Sequence, residues 1–319
     1  MKNERGFALL AVMLVMTLLA IVVTELAMSM RLEASMVRSY KDGTLATHLA
    51  EAAVQQAIRE IVGPGTIQGL DEDGTLSFYR SVGASALLAK QSRLPRQRVA
   101  LGAGEFSYRI SDEEARVDLN TARPDRVDRL LTAVGLDKQA RDIINDSLQD
   151  WKDADDLSRI NGAESEDVYL KLPVPYRARN GALQDAAELL QIRGITREVY
   201  RGDTGHPALA DLVTVAGRPT VNMNTARAPV LKALGLSDAE VTEITQTRTR
   251  TPYPSVPARF AGKGLAVGSA TFRIEAEGLI AGAPPVRIVA IVQRRSDRPT
   301  GVAVPSIGAK TLSRRLAEP

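Results

Sequence analysis

The sequence predicts an α+β protein in which one long N-terminal helix packs on a small antiparallel sheet, and a large helical insertion interrupts that sheet. Three observations predict it. An uncharged apolar run passes without a breaker into an amphipathic one, three alternating strand patterns lie far apart in the chain, and residues 112–270 between the first two read mostly as helix.

Residues 7–24 (FALLAVMLVMTLLAIVVT) carry no charge. At about 1.5 Å per residue, a helix of this length crosses the hydrocarbon core of a bilayer. Lys2 and Arg5 precede it, so the positive-inside rule leaves the first residues in the cytoplasm and sends the bulk outward. If the membrane segment extends to Met30, Glu25 falls inside it and prefers the interface or a partner. A secretory signal peptide is the alternative, with Ala27-Met28-Ser29 as a small-x-small site. Against it, the run is long for a signal core and more helix follows. Beyond Arg31 the chain turns amphipathic, with Leu45, Leu49, Ala53, Ala57 and Ile61 recurring every four residues until Gly63-Pro64-Gly65 ends the pattern. Gly43 is tolerated inside it at about 1 kcal/mol. One helix over residues 7–62, roughly 80 Å long, is expected.

Composition narrows the function classes. The chain has 319 residues, 44% of them hydrophobic, enough for one or two modest cores beyond the helix. It has no cysteine, which excludes a disulfide framework and thiol chemistry, and a net charge of +3 is too small to argue for a nucleic-acid partner. Of the two histidines, His48 falls on the amphipathic helix and His206 in a Gly/Pro loop, both ordinary surface or packing positions. No H-E-x-x-H, Gly-x-Ser-x-Gly or Walker-type loop occurs, so no enzyme is expected.

Residues 63–98 read as loop with one short helix around 81–90. Strands are expected at 105–111, with Phe106, Tyr108 and Ile110 on one face, at 271–277, with Phe272, Ile274 and Ala276, and at 285–294 (PVRIVAIVQR). The insertion carries an internal repeat: residues 117–136 read VDLNTARPDRVDRLLTAVGL and residues 221–236 read VNMNTARAPVLKALGL. In each, the Asn or Thr of Asn-Thr-Ala-Arg is expected to cap the next helix, and Gly135 or Gly235 to close it. The segment around Leu189-Leu190 up to Gly194-Ile195 echoes that ending. Such Asn-Thr-Ala helices also resemble the helix-hairpin-helix of DNA-binding competence receptors, which gives a rival reading as a membrane-tethered DNA-binding protein. The turns here, Gly135-Leu136-Asp137 and Gly235-Leu236-Ser237, lack the second glycine that lets backbone N–H groups approach a phosphate, and the first sets an Asp there.

Residues 146–167 gather Asp146, Asp150, Asp153, Asp155, Asp156, Glu164, Glu166 and Asp167 against only Lys152 and Arg159. Carboxylates this crowded either stay solvated or are bridged by a hard cation such as calcium, which takes six to eight oxygen ligands. EF-hand spacing is absent.

The leader and helix together resemble the type IV pilin-like proteins, whose leader is cleaved after a Gly and whose next residue, often Phe, is N-methylated; Gly6-Phe7 fits. Most members carry a Glu at the fifth position after the cleaved bond, where this chain has Ala11. In the family that carboxylate compensates the amino terminus of a neighbouring subunit, so its lack suits a filament tip. Asp150-Trp151-x-Asp153-x-Asp155 followed by Gly162-Ala163-Glu164 and Tyr169 resembles the general secretion pathway protein K family, the minor pseudopilins K of type II secretion. Leu119-Asn120-Thr121-Ala122, Tyr176-Arg177-Ala178-Arg179-Asn180, Val221-Asn222-Met223-Asn224 and the closing strands match in the family's order, to about Arg295.

That resemblance implies a pilin-like domain whose large helical insertion binds calcium and caps a pseudopilus tip with the minor pseudopilins I and J. It also implies processing by a prepilin peptidase, anchorage in inner-membrane lipid with the C-terminal domain in the periplasm, and service to secreted protein substrates rather than nucleic acid. It points to Asp153, Asp155, Asp156 and Glu164 as calcium ligands, and to cleavage after Gly6 with methylation of Phe7. The expected division is a leader (1–6), a transmembrane part of the helix (7–30), a pilin-like domain (31–118) and a helical, SAM-like insertion (119–219). A second small helical module (220–266), closing strands (267–295) and a disordered tail (296–319) complete it.

Overall fold

The computed structural model describes residues 4–82, 87–297 and 306–316. A single helix, α1 (Glu4–Ile61), opens the chain. It runs unbroken through Ala27-Met28-Ser29, and the apolar residues of its first half are exposed on all sides. It is the one described helix long and apolar enough to cross a membrane. The first three residues of the expected leader lie outside the described residues.

Where a loop and a short helix are expected, the chain makes three strands, β1 (Ile67–Leu70), β2 (Leu76–Ser81) and β3 (Leu88–Lys90), paired antiparallel. The short helix at 81–90 is therefore corrected, although residues 83–86 lie outside the described ones. A turn ending at Gly74, at φ 74, reverses the chain, and Leu76 and Phe78 put one face of β2 into the core. β4 (Val99–Leu101) and β5 (Gly104–Asp112) follow as a hairpin.

The insertion begins with β6 (Val117–Asp118), α2 (Pro124–Val134), α3 (Lys138–Lys152), the short α4 (Arg197–Arg201) and β7 (Val213–Thr214), which pairs parallel with β6. It then repeats the plan in β8 (Val221–Asn222), α5 (Ala228–Ala233), α6 (Asp238–Arg250) and β9 (Leu265–Ala266), with β8 and β9 parallel. The chain returns in β10 (Thr271–Leu279), β11 (Val286–Asp297) and β12 (Ser306–Leu316). The main sheet is antiparallel, in the order β12-β11-β10-β5-β4. The expected disordered tail is thus corrected over 306–316, where β12 adds an edge strand because β11 offers it an open row of backbone partners. Residues 298–305 and 317–319 of that tail lie outside the described residues.

The second half of α1 lies across this sheet. Leu49, Ala50, Ala53, Val54, Ala57 and Ile61 pack on inward rows such as Ile110, Ile274 and Ala290, which are register partners on β5, β10 and β11. The helix comes close because β10 carries Gly278, where a Cβ would run into the Ala46 carbonyl. β10 runs against α1, with Gly278 beside Ala46 while its preceding Gly268 abuts the Thr66 carbonyl and Arg294 Nη2 reaches the Gly63 carbonyl at 2.8 Å. The insertion, which leaves after Asp112 and returns before Thr271, therefore projects from the end where α1 stops. That end is opposite the apolar half.

The two repeats share one clamp. Asn120 Nδ2 donates to the Leu183 and Val215 carbonyls at 2.9 and 3.1 Å, and its Oδ1 accepts from Leu183 N at 2.8 Å. Asn224 treats the Tyr253 and Val267 carbonyls and Tyr253 N in the same way, at 3.1, 3.2 and 2.8 Å. The expected Asn/Thr cap is corrected: the N-cap residues of α2 and α5 are Arg123 and Arg227, without a side-chain cap, because these amides are spent on the distant loops. Gly135, at φ 99, does close α2, its N–H reaching the Leu131 and Thr132 carbonyls.

Three consecutive buried acids join sheet and insertion. Asp112 accepts from Thr225 Oγ1 (2.6 Å), Ser269 Oγ (2.7 Å) and Asn222 Nδ2 (2.9 Å). Glu113 pairs with Arg116 (2.9 Å) and Arg273, and takes the Thr214 hydroxyl; Glu114 accepts from Ala270 and Thr271 N–H groups at 3.1 and 3.0 Å. Burial pushes the Asp112 carboxyl up to about 6, its three side-chain donors opposing and Glu114 adding to the rise. Its folded pKa lies above the unfolded one, so its stability contribution is present below about pH 4 and lost as pH rises through about 6. In denaturant titrations the parent is expected to lose about 2 kcal/mol of this contribution between pH 4 and pH 7.5, and Asp112→Asn, whose amide does not titrate, is expected to lack that loss. Equal pH dependence in the two proteins would mean that Asp112 does not titrate in this window.

Candidate functional site

The acidic segment begins on α3, where Asp146, Asp150 and Asp153 stand at i, i+4 and i+7 and so share one helix face. The helix ends there because Asp153, at φ −76 and ψ 172, is its C-cap. The loop that follows folds back over α3. Asp150, fully buried, accepts from the backbone N–H groups of Arg159 (3.1 Å) and Ala163 (2.9 Å), and Asp146 accepts from Asn161 N and Nδ2 at 3.2 and 3.1 Å. Only glycine fits at position 162, since a Cβ would overlap Asp150 Oδ2.

Beneath the loop sits an aromatic floor. Trp151 meets Tyr169 edge-on at 5.3 Å and Tyr176 at 6.3 Å, while the two tyrosines stack at 5.2 Å. Burial pushes the Tyr169 hydroxyl up to about 12, and it accepts from Arg193 N at 3.2 Å; Arg193 Nη1 in turn holds the Gly162 carbonyl at 2.9 Å.

The four residues singled out from sequence occupy different settings. Glu164, 1% exposed, accepts weakly from Ser165 N at 3.3 Å through Oε2, and its Oε1 has no partner. Asp153 is half-buried, with Oδ2 held by Arg159 Nη1 at 3.1 Å and Oδ1 unpartnered. Asp156 accepts from Asn180 Nδ2 at 3.0 Å, and the Asn180 Oδ1 is left unpartnered. Asp155 is exposed and takes Leu157 N at 3.0 Å. Burial raises the carboxyl pKa of Glu164, and the charges of Asp150, Asp153 and Asp156 raise it further. Burial is also the first cause of the upward shifts at Asp150 and Asp153.

Three buried oxygens without donors, on Asp153, Glu164 and Asn180, are the hard ligands a calcium ion prefers, so the donor chemistry fits. As placed, no group of three or more His, Cys, Asp or Glu among the described residues could hold a metal ion. The Arg159 guanidinium stands between Asp150 Oδ1 and Asp153 Oδ2, at 3.3 and 3.1 Å. Sequence reasoning counted Asp150 in the acidic run without singling it out as a ligand, and missed Asn180. The i, i+3 spacing of Asp150 and Asp153 was the available signal for the first; nothing local marks Asn180.

The hairpins elsewhere in the insertion use their polar turn residues internally. Asp137 caps α3 through Ala140 N at 2.8 Å, and Ser237 caps α6 in a capping box with Glu240. A carboxylate thus sits at the helix N-terminus where a phosphate would have to bind. His48 and His206 are exposed and lie beside Glu51 and Asp203 at 3.1 and 3.0 Å.

Family models described as type II secretion system protein K match residues 108–206 and 221–273, which hold the acidic segment and the second repeat. Over both stretches the chain is similar to the type II secretion system protein K family. Type II secretion system protein K of Pectobacterium carotovorum subsp. carotovorum is 28% identical over 281 residues, covering 80% of this chain and 78% of that one. A putative type II secretion system protein K of Escherichia coli (strain K12) is 26% identical over 275 residues, covering 78% and 77%. The fold is similar to a chain in the crystal structure of the GspK-GspI-GspJ complex from the enterotoxigenic Escherichia coli type 2 secretion system. There the TM-score is 0.60 at 16% identity, over 91% of this chain and 99% of that chain. None of these similarities supports the DNA-binding alternative.

Proposed function

We propose that this protein, a minor pseudopilin of type II secretion, caps the pseudopilus tip and promotes its assembly for export of folded proteins across the outer membrane. The observation that carries this reading is the place of the insertion. It projects from the sheet at the end where α1 stops, opposite the apolar anchor, so a further subunit stacked above would meet the helical modules instead of a bare pilin surface. Ala11 supports it, because a subunit with nothing above it has no neighbouring amino terminus to neutralise in a low-dielectric setting.

The apolar half of α1 would anchor the chain once through the inner membrane, with the sheet and insertion in the periplasm and minor pseudopilins I and J beside it. A complex of those names contains the structural relative, which supports the choice of partners. Co-expressed with the I and J subunits of its own organism and solubilised in detergent, the full chain is expected to co-purify in one ternary complex; its elution alone would sink the tip reading. Prepilin peptidase would cleave after Gly6 and leave an N-methylated Phe7. Intact-mass measurement of the chain from cells with and without that peptidase is expected to differ by residues 1–6, offset by one methyl group, and an unchanged mass would exclude processing.

Calcium is the cofactor the acidic segment would hold, through oxygens of Asp153, Glu164, Asp156 and Asn180, with Asp150 beside them and Asp155 nearer the solvent. Its charge would offset carboxylates that burial and mutual repulsion otherwise penalise. A ligand bound only by the folded state stabilises it by about 2.7 kcal/mol at a hundredfold excess over its Kd. The melting temperature in millimolar calcium is therefore expected to exceed that in chelator by several degrees, and equal values would remove the metal.

A further inference from the structure

We infer that Arg159 is a built-in competitor for the carboxylate cluster, a guanidinium that occupies it when calcium is absent and must leave when calcium enters. This rests on the calcium reading above. The side chain, partly exposed, spans Asp150 Oδ1 at 3.3 Å and Asp153 Oδ2 at 3.1 Å, and so bridges a carboxylate buried in the protein to one at its rim.

Its backbone is anchored separately. The Arg159 N–H donates to Asp150 at 3.1 Å, and Gly162 and Ala163 hold the rest of the loop in place. The guanidinium can therefore swing out to solvent without unfolding the loop. While it stays, its positive charge sits where a divalent cation would need Asp153, and like charges at that distance in a partly buried site repel strongly. Asp153 Oδ1 and Glu164 Oε1, both buried and without donors, remain as the oxygens that the guanidinium does not satisfy. Arginine covers two of the cluster's carboxylates, and its flat fork cannot also reach the others.

An occupant that must be displaced weakens apparent affinity by the fraction of molecules in which the site is already free. Arg159 thus sets the calcium concentration at which the site fills. It also keeps the calcium-free fold together by shielding Asp150 and Asp153 from each other.

Trp151 is the only tryptophan in the chain and adjoins Asp150, with its ring against Tyr169 and Tyr176, so its fluorescence reports on the site. Calcium titrations of the full chain in detergent, followed by that fluorescence and by calorimetry, are compared for the parent, Arg159→Ala and Arg159→Lys. Removal of the competitor is expected to tighten calcium binding about three- to tenfold in Arg159→Ala, with Arg159→Lys between it and the parent. In chelator, Arg159→Ala is expected to melt several degrees below the parent, and saturating calcium is expected to close that gap. If Arg159→Ala does not fold in chelator, the Arg159→Lys comparison decides the same question. Equal or weaker calcium binding in the variants than in a parent that does bind calcium overturns the competitor and leaves the calcium reading intact. No calcium binding by any of the three overturns both.

Discussion

The architecture turns on the buried acidic run Asp112-Glu113-Glu114. Each carboxylate faces a different segment: Asp112 the second repeat, Glu113 the first repeat and β10, and Glu114 the backbone where β10 begins. Three acids in a row cannot be buried unless each is supplied with donors, and here, beside the nearby Arg116 and Glu114 N–H, most donors come from parts of the chain far away in sequence. Folding of the sheet and seating of the insertion are thereby the same event. The orientation of the modules relative to α1, on which a tip role depends, is held by this junction in place of a broad apolar contact.

The insertion itself is a duplicated device. Each copy is a helical hairpin closed by a two-residue parallel strand pair and pinned by one asparagine amide, Asn120 or Asn224, whose donors and acceptor are all used. Arg129 Nε reaches the Ala233 carbonyl at 3.0 Å and joins α2 to α5 across the copies. Because Asp137 and Ser237 cap their own helices, the hairpin turns present a satisfied surface, and the plan shared with DNA-binding hairpins serves packing here.

The acidic site shows the opposite economy. Its backbone donors are concentrated on Asp150 and Asp146, while oxygens on Asp153, Glu164 and Asn180 go without. Burying unpaired acceptors is costly, so a cation is the natural complement, and one already present in the chain, Arg159, serves part of that need.

Much was legible in the residues alone. The apolar run and its four-residue continuation defined α1, alternation defined β5, β10 and β11, and the doubled Asn-Thr-Ala-Arg motif announced the repeat, because each rests on periodicities that neighbouring residues impose on themselves. The acid cluster was legible for the same reason, as local crowding of charge. What stayed hidden depends on contacts between segments far apart. β1 to β3 were read as loop and helix because their pairing, not their composition, makes them strands; β12 exists only because β11 leaves an edge open; Asn120 and Asn224 looked like caps until Leu183 and Tyr253 came within reach. The place of Asn180 beside the acidic segment, and the seat of the insertion at the end of α1 away from its apolar half, follow from the same cause. Sequence by itself determined the long helix with its apolar half, the alternating strands and the crowded charge, since those properties are local; the tertiary structure alone decided which further segments pair as strands and which buried donor each acid and amide would find, since contacts between distant segments leave no pattern along the chain.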